Sequence, residues 1–264
     1  MTSTADQPIN ALRTGHDELA ALVKGLSLEQ ISGPSGAADW TIAQVLSHLG
    51  SGAEIGLAGL EVALGTGEKP AADFNRTVWD RWDAMEPADQ AAGFVTANEK
   101  FVVRYESLDD TTRNETTVDL GFLPAPVDLA TAASFRLNEF ALHSWDVRVA
   151  GDPSAVLAQD AAEPLMAVVP YLIGWLGKPG DLLGGATKKV TIQTTAPDRT
   201  FGLAITEKVA LVDAPDEPDA TVSLSGESWL RLATGRLGPE NTPGEVRVTG
   251  DITIGQLRQM FPGY

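Results

Sequence analysis

Residues 136–147 read RLNEFALHSWDV. They lie within a segment whose periodicity predicts a helix from about Leu129 to Ala150, closed by Gly151, Asp152 and Pro153. Glu139 and His143 are four residues apart, so on a helix they stack on one face. The same face carries Ala132, Phe135 and Val147, all apolar. A carboxylate and an imidazole inside an apolar stripe need an explanation, because a buried charge left unpaired costs several kcal/mol. Burial of Glu139 therefore implies a cation or a metal beside it.

A second segment, TIAQVLSHL at residues 41–49, predicts the helix that would face it. Thr41 followed three residues later by Gln44 is a capping-box start. Ile42, Val45, Leu46, Leu49 and Ala53 then recur at helical spacing, and Gly65 and Gly67 stop the run near Leu64. His48 sits on the flank of that stripe, one turn from Gln44 and Gly52. If the two helices pack, His48, Glu139 and His143 converge. Two histidines and one carboxylate form a catalytic zinc set with an open fourth position, and the same set suits ferrous iron. The plainer reading is a hydrogen-bonded Glu–His pair with His48 as a satisfied core histidine. His16, between Gly15 and the acidic Asp17 and Glu18, reads as a solvated surface residue. Gly52, Gly56 and Gly59 read as sites of close helix packing, with approach of a ligand second.

The remainder of the chain divides in texture. Helical spacing covers residues 8–25, 74–85 and 88–108, and 116–127 reads as a loop. Residues 161–176 predict another helix. Beyond Gly180, alternating stretches at 190–195, 201–205, 209–212 and 220–224 predict strands, followed by a helix at 229–237, a strand at 246–250 and a helix at 254–260. The fold class expected is mixed α and α/β. A helical bundle spans residues 1–155 and a small α+β domain spans 156–264.

Composition excludes several functions. The 264 residues include 19 basic and 36 acidic side chains, a net charge of −17. That disfavours nucleic acid and anionic membrane as partners, and an anionic substrate would require a local arginine. There is no cysteine, so any thiol chemistry uses a thiol from outside. The N-terminal MTSTADQPIN lacks the basic and apolar regions of a signal peptide. The most apolar stretch, Pro164–Leu176, is short and interrupted by Pro170. A cytoplasmic protein is expected.

DWTIAQVLSHL together with LNEFALHSWDV resembles the mycothiol-dependent maleylpyruvate isomerase family, a branch of the DinB-like four-helix-bundle metalloproteins. Its pattern is a Trp-Thr helix start with a histidine seven residues after the threonine, and a later Asn-Glu-x3-His-x2-Asp helix. VSLSGESWLRLATGRL and LRQMFPG are similar to that family's sterol-carrier-like second domain. The resemblance implies a zinc ion on His48, Glu139 and His143, and mycothiol as the thiol co-substrate. A free thiol of pKa about 8.5 is only slightly ionised near neutrality, and zinc coordination deprotonates it. The thiolate would add to a small electrophilic substrate. In an isomerase it would leave after rotation about a cis double bond; in an S-transferase it would stay. The Thr-Gly-Arg step places the family's substrate-holding arginine at Arg236, with Arg231 as the rival. Asp146 would accept a hydrogen bond behind a ligand or pair with an arginine, and Trp40 would pack at the helix start or line the pocket. A zinc-water hydrolase and a non-catalytic binding module are the competing readings, and a monomer or homodimer is expected.

Overall fold

The computed structural model describes residues 3–180 and 182–263. The chain divides into two units, one ending at Asp152 and the other beginning at Pro153. The break lies three residues before the 155/156 boundary read from the sequence.

In the first unit, four long helices are α1 (Asp6–Gly25), α3 (Ile42–Ala63), α5 (Pro87–Glu106) and α7 (Leu129–Val149). Helix α3 packs on α5 and α7, and α1 packs on α5 and α7, which makes a four-helix bundle. The two helices that matter most for function begin where their caps dictate. The Thr41 hydroxyl accepts the Gln44 amide, and the Gln44 side chain accepts the Thr41 amide in return. The Asp128 carboxylate accepts the Thr131 amide at the start of α7. Leu12, Leu19, Val45, Leu46, Leu49, Phe94 and Leu142 are fully buried between the helices. Each such side chain contributes roughly 1.5–3 kcal/mol.

Shorter elements fill the connections: α2 (Leu28–Ile31), α4 (Phe74–Asp83) and α6 (Asp110–Glu115). The segment 116–127, expected as a loop, is bracketed by a two-residue ladder, β1 (Thr117–Val118) against β2 (Val127–Asp128). Helices α2 and α6 show only capping residues, Ser27 and Asp109, and are too short for a periodic signal.

His16 is not a surface residue. It is 3% exposed, because the phase of α1 sets it with Leu12, Leu19 and Ala20 rather than with its polar neighbours in sequence.

The second unit begins with α8 (Gln159–Leu176) and continues through β3 (Lys188–Thr195), β4 (Arg199–Ile205), β5 (Val209–Val212), β6 (Ala220–Ser225), α9 (Gly226–Ala233), β7 (Arg247–Gly250) and α10 (Ile254–Met260). The sheet order is β5-β4-β3-β6-β7. The β3–β6 pair is parallel and its other pairs are antiparallel. This is the mixed α+β module expected from the alternating segments. Helix α9 differs from the expected 229–237. It starts earlier because the Ser225 hydroxyl caps it by accepting the Ser228 amide. It stops earlier because Gly235, at φ +74°, breaks the helical path. Arg236 therefore lies beyond the helix, not within it. Among the described residues, no helix is long and apolar enough to cross a membrane.

Candidate metal centre

Helices α3 and α7 bring the three expected ligands together. One donor atom from each of His48, Glu139 and His143 lies within 4.8 Å of the other two. His48 Nε2 is 3.3 Å from Glu139 Oε2, and His143 Nε2 is 3.9 Å from the same oxygen. The two imidazole centroids are 4.7 Å apart. Four-coordinate zinc with bonds near 2.0–2.1 Å sets its donors about 3.3 Å from one another. The donor set and its spacing therefore fit a divalent ion with three protein ligands.

The protonation pattern fits as well. His143 Nδ1 is 2.9 Å from Asp146 Oδ2, and Asp146 is completely buried. A carboxylate only accepts, so the ring donates from Nδ1 and its lone pair is on Nε2, the nitrogen that faces Glu139. Asp146 is thus the acceptor behind one of the expected ligands. Partial burial pushes the Glu139 carboxyl up, but the His48 hydrogen bond, with His143, His48 and Arg136 nearby, outweighs it and holds the group below the usual carboxylate range.

Trp40 covers the two imidazoles. Its ring is stacked at 6.0 Å on His143 and tilted at 5.4 Å from His48. The turn that carries it is fastened to α7, because the Gly36 amide donates to the Asp146 carbonyl at 2.7 Å. Gly36 is required there: a Cβ would lie 3.1 Å from Asp146 Cα and would overlap Val149. Trp40 therefore lines the site, the second of the roles weighed for it.

Sequence reasoning missed Arg136. Its Nη2 donates to the Leu49 carbonyl at 2.9 Å and to Asn98 Oδ1 at 2.7 Å. Gly52 faces it, with the position of a Cβ only 3.0 Å from Nη1. Gly56 abuts Phe101 in the expected close-packing role, whereas nothing lies within 4 Å of a Cβ at Gly59. A helical arginine one turn before Glu139 was the available signal.

A second cluster, His16, Asp17 and Glu99, also meets within 4.8 Å. Its chemistry is different. Arg13 bridges Glu99 at 2.6 Å and Asp17 at 3.2 Å, so the carboxylates already hold a cation. Arg136 only donates, which assigns Oδ1 of Asn98 as its acceptor and leaves Asn98 Nδ2 to donate to His16 Nδ1 at 3.0 Å. The His16 hydrogen then lies on Nε2, directed at Glu99 3.0 Å away. No lone pair faces the carboxylates, and this cluster is an ion-pair network.

In the second unit, Arg231 is committed to structure. It makes a two-pronged pair with Glu227 at 2.7 and 2.9 Å and donates to the Asn241 carbonyl. Arg236 is 7% exposed, and its Nη1 donates to the Thr234 carbonyl at 3.1 Å.

Residues 12–148 match the family model described as the mycothiol maleylpyruvate isomerase N-terminal domain. The chain belongs to the mycothiol-dependent maleylpyruvate isomerase family. The matched segment includes all of His48, Glu139, His143 and Asp146. Two solved structures agree in fold: the mycothiol-dependent maleylpyruvate isomerase and a point mutant of it. Each superposes with a TM-score of 0.65 over 96% of this chain and 98% of the other, at 16% and 14% identity respectively. No curated protein sequence matches the chain. The fold shared with the isomerase thus extends beyond the matched helical domain into the α+β unit.

Proposed function

We propose that this chain is a mycothiol-dependent metalloenzyme of the cytoplasm in which the thiolate adds to a small electrophilic substrate, as an isomerase of the maleylpyruvate type or as a thiol S-transferase. The observation that carries the reading is the convergence of two imidazoles and one carboxylate, in a chain of this family, with Asp146 behind His143. His48, Glu139 and His143 would hold one divalent ion, zinc by the chemistry of the donors. When bound, such an ion would accept a thiol sulfur in its open position and favour the thiolate.

The chain's own residues do the rest. Asp146 holds the His143 hydrogen at Nδ1 and so fixes the direction of Nε2. Trp40 shields the imidazoles on one side, which restricts the approach of water and substrate. Arg236 is our choice to hold the anionic end of the substrate, since the Arg231 donors are spent on Glu227 and Asn241. The chain contains no cysteine, so the thiol comes from solution.

The test is turnover of a cis-configured acylpyruvate by zinc-loaded protein with mycothiol present or omitted. Activity that depends on the thiol supports the reading. Equal turnover without it would replace it by zinc-water hydrolysis.

A further inference from the structure

Arg136 is an expensive residue. It is largely withdrawn from solvent, and desolvation lowers its pKa to about 10. Among the described residues, its buried Nε has no hydrogen-bond partner and Nη2 makes both of the guanidinium's hydrogen bonds. An apolar side chain at this position would bury no unpaired donor, but it would strip the buried Asn98 Oδ1 of its donor. Satisfying Asn98 alone does not explain a guanidinium that also reaches the Leu49 carbonyl of α3.

Its contacts do. Arg136 is on α7, one turn before Glu139. One acceptor, the Leu49 carbonyl, belongs to the residue that follows His48 on α3. The other, Asn98 Oδ1, is on α5. A single nitrogen therefore ties the helix of His48 to the helix of Glu139 and His143, within one turn of both ligand positions. The clamp is itself held. Asn98 is fully buried and spans from Arg136 to His16, and His16 is fixed by Glu99, which Arg13 grips in turn. The Asn98 amide is thereby oriented with its Oδ1 toward Arg136. Gly52 leaves room for the guanidinium.

We propose that Arg136 is a positioning residue of the metal centre, a clamp that sets the separation of His48 from Glu139 and His143. The inference rests on the metal-site reading above. Groups that orient ligands from behind typically govern affinity by 10–100-fold.

The test uses the whole chain, with zinc affinity read by competition with a chromophoric chelator and ligand geometry read from the visible spectrum of the cobalt(II) form. Arg136→Gln is expected to weaken zinc about 10–100-fold and to change the cobalt spectrum. Val23→Ala, a core truncation two turns beyond His16 on α1, is expected to lower the melting temperature and keep zinc affinity within about twofold of wild type. Wild-type affinity in folded Arg136→Gln overturns the proposal, as does an equal loss in Val23→Ala. Should Arg136→Gln fail to fold, Gly52→Ala, which crowds Nη1, serves in its place and is expected to weaken zinc; unchanged affinity there also overturns the proposal. Failure of the wild-type chain to bind zinc at all overturns the metal-site reading itself.

Discussion

His143 Nδ1 and Asp146 Oδ2 are 2.9 Å apart in a buried pair of positions, and that contact decides which nitrogen of His143 faces Glu139. Replacing Asp146 with alanine would let the ring adopt either tautomer and rotate. Zinc affinity should fall about 10–100-fold. Chelator competition on the folded variant checks this, and an unchanged affinity would remove Asp146 from the site.

The Gly36 amide is bonded to the Asp146 carbonyl, and the glycine has no room for a side chain. Gly36→Ala should destabilise the first unit by about 1–3 kcal/mol through overpacking. It should also alter the environment of Trp40. Thermal unfolding and tryptophan emission measure the two effects separately.

His16 makes the first unit sensitive to acid. Burial lowers its pKa, outweighing the opposing effect of Glu99. The unfolded chain then takes up the proton first as pH falls through about 6.5. The stability that His16 contributes is complete above that pH and is lost as pH falls toward its lower folded value. A urea midpoint followed from pH 8 to pH 5 should decline, and His16→Phe should flatten that part of the curve. The same slope in the variant would assign the effect to other groups.

Much of the helical unit was legible because its signals are local. Thr41 and Gln44 mark the start of α3, and the spacing of Glu139 and His143 shows in the sequence whatever they bind. His16 was misread because adjacent residues were weighed in place of those three and four away: Leu12, Leu19 and Ala20 shared its face all along. Arg136 was overlooked for a different reason. An arginine in a helix usually faces water, and only the meeting of α3, α5 and α7 shows that this one does not. Trp40 sat in view as a residue before a cap, but its place over His143 depends on a turn held by Gly36 and Asp146, more than a hundred positions apart in the chain.

Arg231 and Arg236 should separate by experiment. Arg231→Ala leaves Glu227 without its buried partner and should cost about 3–5 kcal/mol. Arg236→Ala should impair turnover while metal content stays the same. Kinetics and metal analysis on both variants check the assignment, and unchanged kinetics in Arg236→Ala would move the anchor elsewhere.

Metal content tests the central claim most directly. Protein isolated without added metal, and then equilibrated with zinc and desalted, should retain one zinc per chain, and His143→Ala should retain almost none. A folded His143→Ala that holds as much zinc as wild type, or a wild-type chain that holds none, would contradict the account.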